Sequence, residues 1–226
     1  MSQMLDIHAG LRDRVLSLDL RPGEKLTERL LERDYGASRT PVRAALLKLE
    51  SEGLMCRDGR SWVVAPIDLG EITLLAEFRA TLEASAVRFA CERAAAEDID
   101  AIGEMLDRCR PGVPRDEWHK AGTDFHIEIG RLSGNSFLAR AVADVMTRLS
   151  RPRWLEVLTE PSREQAWAEH RRILDSIRRN QPDAAAQQAV AHVYDTRDRL
   201  LRSLDDNRRG FRARGLALVG SGVRAE

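Results

Sequence analysis

Several things are scarce in this chain. Its 226 residues include three cysteines, Cys56, Cys91 and Cys109, an odd number in no paired metal spacing, which excludes a disulfide framework and suits reduced structural thiols. No apolar run reaches the roughly 18 residues a membrane helix needs, and no positive segment followed by an apolar core opens the chain. Neither a membrane span nor a secretory signal is indicated, and the cytoplasm is the expected location. Gly/Ser-rich linkers and internal repeats are also missing. Lys25, Lys48 and Lys120 are the only lysines among 36 basic residues, and 36 acidic residues bring the net charge to zero. That balance excludes a broad basic patch but leaves a few placed arginines, whose planar forks suit bidentate contacts.

What is present fits two modest domains better than one large one, with an ordinary apolar fraction of 43%. The stretch Gly36–Gly53, GASRTPVRAALLKLESEG, reads as one short helix. Ser38 is a good N-cap, Pro41 falls in the first turn where a missing N–H costs nothing, and Val42, Leu46 and Leu49 recur at helical spacing. Arg39, Thr40 and Arg43 occupy the first turns, away from that apolar face, and Gly53 is placed to end the helix with a positive φ. A helix whose N-terminus presents guanidinium and hydroxyl groups is built to meet base edges and phosphates; the bland alternative is a solvated surface.

The flanks favour the first reading. Thr27 caps a short helix to Tyr35 with Leu30 and Leu31 inward, and Leu54–Arg57 and Trp62–Ala65 are β-prone runs around a turn with Asp58-Gly59 at its centre. Leu5–Leu18 adds a helix with Leu5, Leu11, Val15 and Leu18 near one face. Together these predict a winged helix-turn-helix over residues 1–66. The sequence Arg21-Pro22-Gly23-Glu24-Lys25-Leu26, then Glu28-Arg29, Ser38-Arg39-Thr40-Pro41-Val42-Arg43 and Leu49-Glu50-Ser51-Glu52-Gly53-Leu54 resembles the DNA-binding domain of GntR-family bacterial transcription regulators. The resemblance implies DNA contacts from Arg29, Arg39, Thr40 and Arg43 and an approach of the wing tip, Gly59, to the minor groove. Ser61 and Trp62 stand where the family often has a second wing glycine.

From Leu69 onward apolar residues recur at three and four, which predicts an all-helical second domain over 69–205 and a mainly α protein. Helices are expected near 69–94, 97–109, 115–133, 135–150, 162–180 and 183–205, punctuated by Glu97-Asp98, Pro111-Gly112, Gly134-Asn135, Pro152, Pro161-Ser162 and Pro182. Asn135 reads as a cap, and Pro152–Thr159 as a possible kinked continuation of the helix before it. The tail 207–226, rich in arginine and glycine without sustained apolar periodicity, is expected to be disordered.

Three histidines, His126, His170 and His192, lie on three of these helices. Phe125-His126, Glu169-His170 and His192, with Arg79 and Glu83 on the domain's first helix, resemble the FCD ligand-binding domain of the FadR-like GntR subgroup. That resemblance implies a homodimer and a helical bundle holding a small carboxylate effector near a divalent metal, zinc or nickel, bound by the three histidines and an aspartate. The aspartate's position, four residues before His126, is Gly122 here, and Asp124 lies about 200° round the helix from it. Three imidazoles would therefore leave open positions for the acid to reach the metal directly. Arg79 is either a clamp for the effector carboxylate or the partner of Glu83 one turn on. The expected function is a repressor of operator DNA released by a small organic acid. The alternative is a metal-dependent hydrolase on the three-histidine bundle, although the sequence lacks a nucleophile elbow, a phosphate loop and a general base beside the histidines.

Overall fold

The computed structural model describes residues 3–110, 112–156 and 160–220. Its contacts separate into two units. One unites residues up to Gly70 with the described residues from Asp206 on, and the other is Glu71–Asp205.

In the first unit, α1 (Gln3–Leu16) buries Ile7, His8, Leu11 and Val15. The expected face is corrected at both ends: Leu5 is 44% exposed, and Leu18 lies beyond the helix at φ 66°. Leu5 stands about 200° round from Ile7, so only one of the two can point inward. Helix α2 (Glu28–Tyr35) starts at Thr27, whose Oγ1 accepts from Leu30 N at 3.2 Å, and ends at left-handed Gly36. Helix α3 (Arg39–Ser51) buries Val42, Ala45, Leu46 and Leu49 in a core shared with Ile7, Leu11, Leu31 and Trp62. Each such large side chain contributes about 1.5–3 kcal/mol by leaving water. The helix closes as a Schellman motif: Leu54 N donates to Leu49 O, Gly53 N donates to Glu50 O, and Gly53 takes φ 72°.

The wing is a three-stranded antiparallel sheet in the order β1 (Lys25–Leu26), β3 (Ser61–Val64), β2 (Met55–Asp58). Asp58 pairs with Ser61, so Gly59-Arg60 rather than Asp58-Gly59 forms the turn, and only its first residue has positive φ, the pattern of a type II′ hairpin. Glu28 ties the wing to the helices. Its Oε1 accepts from Nε1 of the fully buried Trp62 at 3.3 Å, its Oε2 accepts from Arg39 Nε at 2.8 Å, and Arg43 Nε lies 4.0 Å away. Burial pushes the Glu28 carboxyl up, but the bonds from Arg39 and Trp62 outweigh it and hold the group below its ordinary range.

The expectation of a disordered tail fails for the described part, while residues 221–226 lie outside it. A short helix, α10 (Arg208–Ala213), is followed by β5 (Leu218–Val219), which pairs in parallel with β4 (Ile67–Asp68). Phe211, Leu216 and Leu218 are buried, Ala217 N donates to Pro22 O, and Ile67 N donates to Ala217 O. Three apolar anchors, one on a short helix, one in the connection after it and one on a two-residue strand, form no sustained period, so pattern reading passes over them.

The second unit is all-helical. Helices α4 (Leu69–Arg93), α5 (Ala96–Arg108), α6 (Arg115–Leu132), α7 (Ser136–Glu156), α8 (Glu160–Arg178) and α9 (Pro182–Asp206) follow the expected punctuation closely. Asn135 is a cap, its Oδ1 accepting from the backbone of Phe137 and Leu138 at 3.0 and 3.2 Å. Pro152 does not end its helix. Helix α7 continues through it to Glu156, and the remainder of the expected kinked piece, like Pro111, lies outside the described residues. The core joins Val87, Ile102, Phe125, Ile129, Ile173 and Leu174 with alanines of α4 and α9. Among the described residues no helix is long and apolar enough to cross a membrane.

Two outcomes follow for the first unit. Glu28→Ala leaves the buried Trp62 N–H without its acceptor and should cost about 1–3 kcal/mol in urea unfolding, with Glu28→Gln milder. An unchanged midpoint for Glu28→Ala would show that this carboxylate does not hold the wing. Truncation after Asp206 exposes the Ile67 amide and the surfaces covered by Phe211, Leu216 and Leu218. Hydrogen exchange at Ile67 should then approach the rate of an open loop, and continued protection would mean the tail pairing contributes nothing.

Candidate functional site

On the first unit the five residues expected to meet DNA are all exposed: Arg29 on α2, Arg39, Thr40 and Arg43 on α3, and Gly59 at the wing turn. Arg39 and Arg43, one turn apart, both reach toward Glu28. The wing adds Arg57, stacked 3.5 Å over Trp62, and a Lys25–Asp58 ion pair of 2.7 Å.

In the second unit α6, α8 and α9 bring His126, His170 and His192 to one point, each at most 2% exposed. The Nε2 atoms of His126 and His170 both lie 3.3 Å from that of His192, and the three potential ligand atoms fall within 4.8 Å of one another. The outward nitrogens are fixed by carboxylates: His126 Nδ1 is 3.0 Å from Glu83 Oε2, and His192 Nδ1 is 2.6 Å from Glu169 Oε2. Hydrogen-bond logic sets the tautomers, with Nδ1–H donating to the carboxylate and Nε2 left as a lone pair facing inward. The third ring, His170, stacks on Phe125 with centroids 4.2 Å apart.

Arg79 belongs to the same cluster. It is 2% exposed, its Nε donates to Glu83 Oε1 at 2.6 Å, and its Nη2 donates to His126 Nε2 at 2.7 Å. The ion-pair reading of Arg79 is therefore realised, inside the pocket rather than apart from it. Burial first, then the Arg79 guanidinium and the neighbouring ring of His192, hold His126 well below the ordinary imidazole range. His170 is held down by burial, then by His192 and His126. His192 is lowered by burial against the opposing bond to Glu169. Burial alone would raise Glu169, but His192 and the two-pronged Arg199, at 3.1 Å to each oxygen, bring it to about 2.

These residues meet part of what a metal requires. Nitrogens about 2.0–2.1 Å from one ion at tetrahedral angles lie about 3.3–3.4 Å apart. The two 3.3 Å separations to His192 match, all three nitrogens lie within 4.8 Å of one another, and the carboxylates behind two rings are the usual orienting partners of metal-bound imidazoles. The fourth position does not match. A Cβ at Gly122 would meet Arg153 Nη2 at 3.2 Å and His170 Cε1 at 3.8 Å, so a guanidinium faces the cluster where a fourth donor would stand. Arg153, on α7, is 3% exposed and donates from Nη1 to Thr123 Oγ1 at 3.1 Å. The rings of His170 and His192 turn nitrogens toward one point, whereas the inward nitrogen of His126 already accepts from Arg79, so three-histidine binding of an ion requires Arg79 to withdraw from that ring.

Two openings adjoin the cluster. A cleft of about 250 Å³ is lined by Glu169, Arg172, Gln188, Ala191, His192 and Asp195. A small cavity of about 10 Å³ is lined by three arginines, Arg79, Arg153 and Arg197, by Thr196, and by apolar side chains of α4, α7 and α9. Sequence reading missed Arg153 because it put the helix end near 150 and left the piece from Pro152 on as a kinked continuation, whereas helix α7 includes Pro152 and runs to Glu156. It also passed over Glu28 and Arg199, whose partners sit 11 and 30 residues away.

Compared with known proteins, residues 3–64 match the bacterial regulatory proteins of the gntR family and residues 74–195 match the FCD domain. The Nta operon transcriptional regulator of Aminobacter aminovorans is 30% identical over 189 residues, 82% of this chain and 89% of that one. The HTH-type transcriptional repressor NanR of Escherichia coli is 28% identical over 216 residues, covering 85% and 81%. Among solved structures, a putative transcriptional regulator GntR from Rhodococcus sp. RHA1 has a TM-score of 0.74 at 20% identity, over 89% of this chain and 99% of that one. E. coli McbR/YncC has a TM-score of 0.72 at 18% identity, over 89% and 98%, and at such identities the likeness bears on the fold. The family is one of DNA-binding regulators rather than enzymes, which sets the hydrolase alternative aside. The chain belongs to the gntR family of bacterial transcription regulators, with an FCD domain as its helical unit.

Proposed function

We propose that the protein is a cytoplasmic, homodimeric repressor that leaves its operator when a small organic acid enters the helical unit. The observation that carries this reading is the presence, in one chain, of an exposed arginine-bearing helix and a closed cluster of imidazole and guanidinium groups. Arg29, Arg39, Thr40 and Arg43 supply contacts to bases and phosphates, and Gly59 lets the wing backbone approach the minor groove. With a net charge of zero, affinity rests on these few groups and on duplication. One reading helix spans too few bases to select a site; two half-sites about one helical turn apart multiply the discrimination. Leu74 and Phe78, 66% and 51% exposed one turn apart on α4, support a surface covered by a second copy.

His126, His170 and His192 would hold a divalent ion, with zinc and nickel the best suited to imidazole. When bound, such an ion supplies positive charge and an open position for a carboxylate. Arg79 directs a second cationic group at the same acid. The relative named as a repressor supports repression as the sense of control. Control is a population shift: the acid favours a helical arrangement in which paired reading helices no longer match successive grooves.

Two measurements test this reading. On an operator recovered by selection from genomic fragments, Arg39→Ala or Arg43→Ala should each lose about 1–3 kcal/mol of binding in anisotropy titrations, with helical content unchanged. Full affinity in both variants would remove α3 from the interface. In calorimetric titration with zinc or nickel, His170→Ala should lose most of the metal affinity of the wild type. Equal binding by the two proteins would show that the three histidines are not a metal site, leaving the acid to the arginines.

A further inference from the structure

Residues 207–220 lie beyond both stretches that place the chain in its family, yet they are bonded into the winged unit. One point of attachment is the turn Arg21–Glu24. Ala217 N donates to Pro22 O at 2.9 Å, and Arg21 Nη1 donates to Arg214 O at 3.2 Å. Gly23 takes φ 89°, and a Cβ there would come within 2.6 Å of Ala217 Cβ, so turn and tail fit as bare backbone against a methyl group. The turn is also bonded to β3: Gly23 N donates to Val64 O at 2.8 Å, and Val64 N donates to Glu24 O at 2.9 Å. Buried Phe211, Leu216 and Leu218 anchor the tail on either side of this contact.

The turn leads without a break into residues to which the proposed function gives DNA contacts. β1 follows it, two residues long with β3 as its one neighbour in the sheet, so few bonds of its own fix where it lies. Thr27 comes next and caps α2; Glu28, in the first turn, accepts from Trp62 and Arg39, and Arg29 follows. The tail meets the sheet at the end away from the wing turn, because Gly23 bonds Val64, the last residue of β3, whereas Gly59-Arg60 precedes its first. We infer that the tail is a brace for the DNA-contacting end of α2. Docked on the Arg21–Glu24 turn, it fixes β1 and with it Thr27, Glu28 and Arg29, so it takes part in operator binding without touching the DNA. The inference rests on the DNA contacts proposed above and adds a positioning segment to them.

The test compares wild type with a chain ended after Asp206, and with a full-length variant carrying Ala217→Leu and Leu218→Asp, on the operator recovered by selection. The larger side chain at 217 cannot fit against Gly23, and a carboxylate at 218 cannot stay buried, so this tail lets go. Both altered proteins should bind the operator about tenfold more weakly, the size expected when one or two long side chains must be ordered at the moment of binding. Stoichiometric titration should find every altered molecule still competent to bind, which general unfolding would not leave. The slope of log affinity against log salt should match wild type, because each phosphate contact supplied by the tail would take about 0.9 from it. Hydrogen exchange at the Leu30 amide, which donates to Thr27, should quicken, and a synthetic 207–220 peptide added to the shortened chain should restore part of both its affinity and its protection. Unchanged affinity in the shortened chain overturns the inference, as does a fall in the competent fraction alone. A reduced salt slope also overturns it, by making the tail a DNA contact. If the shortened chain does not fold, the full-length variant decides by the same outcomes. Wild-type binding that weakens in Arg39→Ala but not on loss of the tail refutes only the brace, whereas wild type that binds no selected fragment refutes the brace and the DNA contacts together.

Discussion

Three imidazoles stripped of water, two of them 3.3 Å from the third, can coexist only if each is neutral and each is told which nitrogen carries its proton. Glu83 and Glu169 give that instruction to two of them, and Arg79 and Arg199 in turn donate to those carboxylates and hold them in place. The order of dependence runs outward from the rings. The carboxylates fix the rings, the arginines fix the carboxylates, and helices α4, α6, α8 and α9 must pack closely enough for all of these groups to touch. A network of this kind tolerates little: breaking one buried partnership leaves a charge or lone pair without water, which costs more than the intact pair contributes.

The winged unit solves a smaller version of the same problem with one carboxylate. Glu28 satisfies the indole N–H of Trp62 and steadies Arg39, so the group that completes the core also presets an arginine to which the proposed function gives a DNA contact. On that proposal, less rotameric freedom is lost when the side chain meets DNA. For a chain with few lysines and no net charge, preorganisation of individual guanidinium groups replaces the diffuse attraction a basic surface would supply.

Much of this was legible in the sequence because its punctuation is local. Thr27, Gly36, Gly53 and Asn135 act through their own backbone neighbours, and each sits where it was expected. The three histidines could be grouped by resemblance, and the bundle does bring them together. What escaped depends on distant parts of the chain. β1 is two residues long and exists only because β3 is there to pair with it, and β5 exists only because of β4. Leu5 and Ile7 compete for one inward direction, which apolar spacing alone does not decide. Arg153 was hidden behind a proline that the helix accommodates, and its place beside Gly122 is a matter of how α6 meets α7.

The return of the tail changes the topology of the whole chain. Because β5 is sewn beside β4, the helical unit is an insertion within the winged unit rather than an appendage to it. An appendage hangs on a single swivel and can turn without consequence for its carrier. An insertion is joined to its host by two crossings of the chain, one at each of its ends. Those ends are α4 and α9, the helices that carry Arg79 and Glu83 on one side and His192 and Arg199 on the other. The chain thus leaves the winged unit and returns to it through neighbouring strands, so a single cut at either crossing would still leave the two units covalently joined.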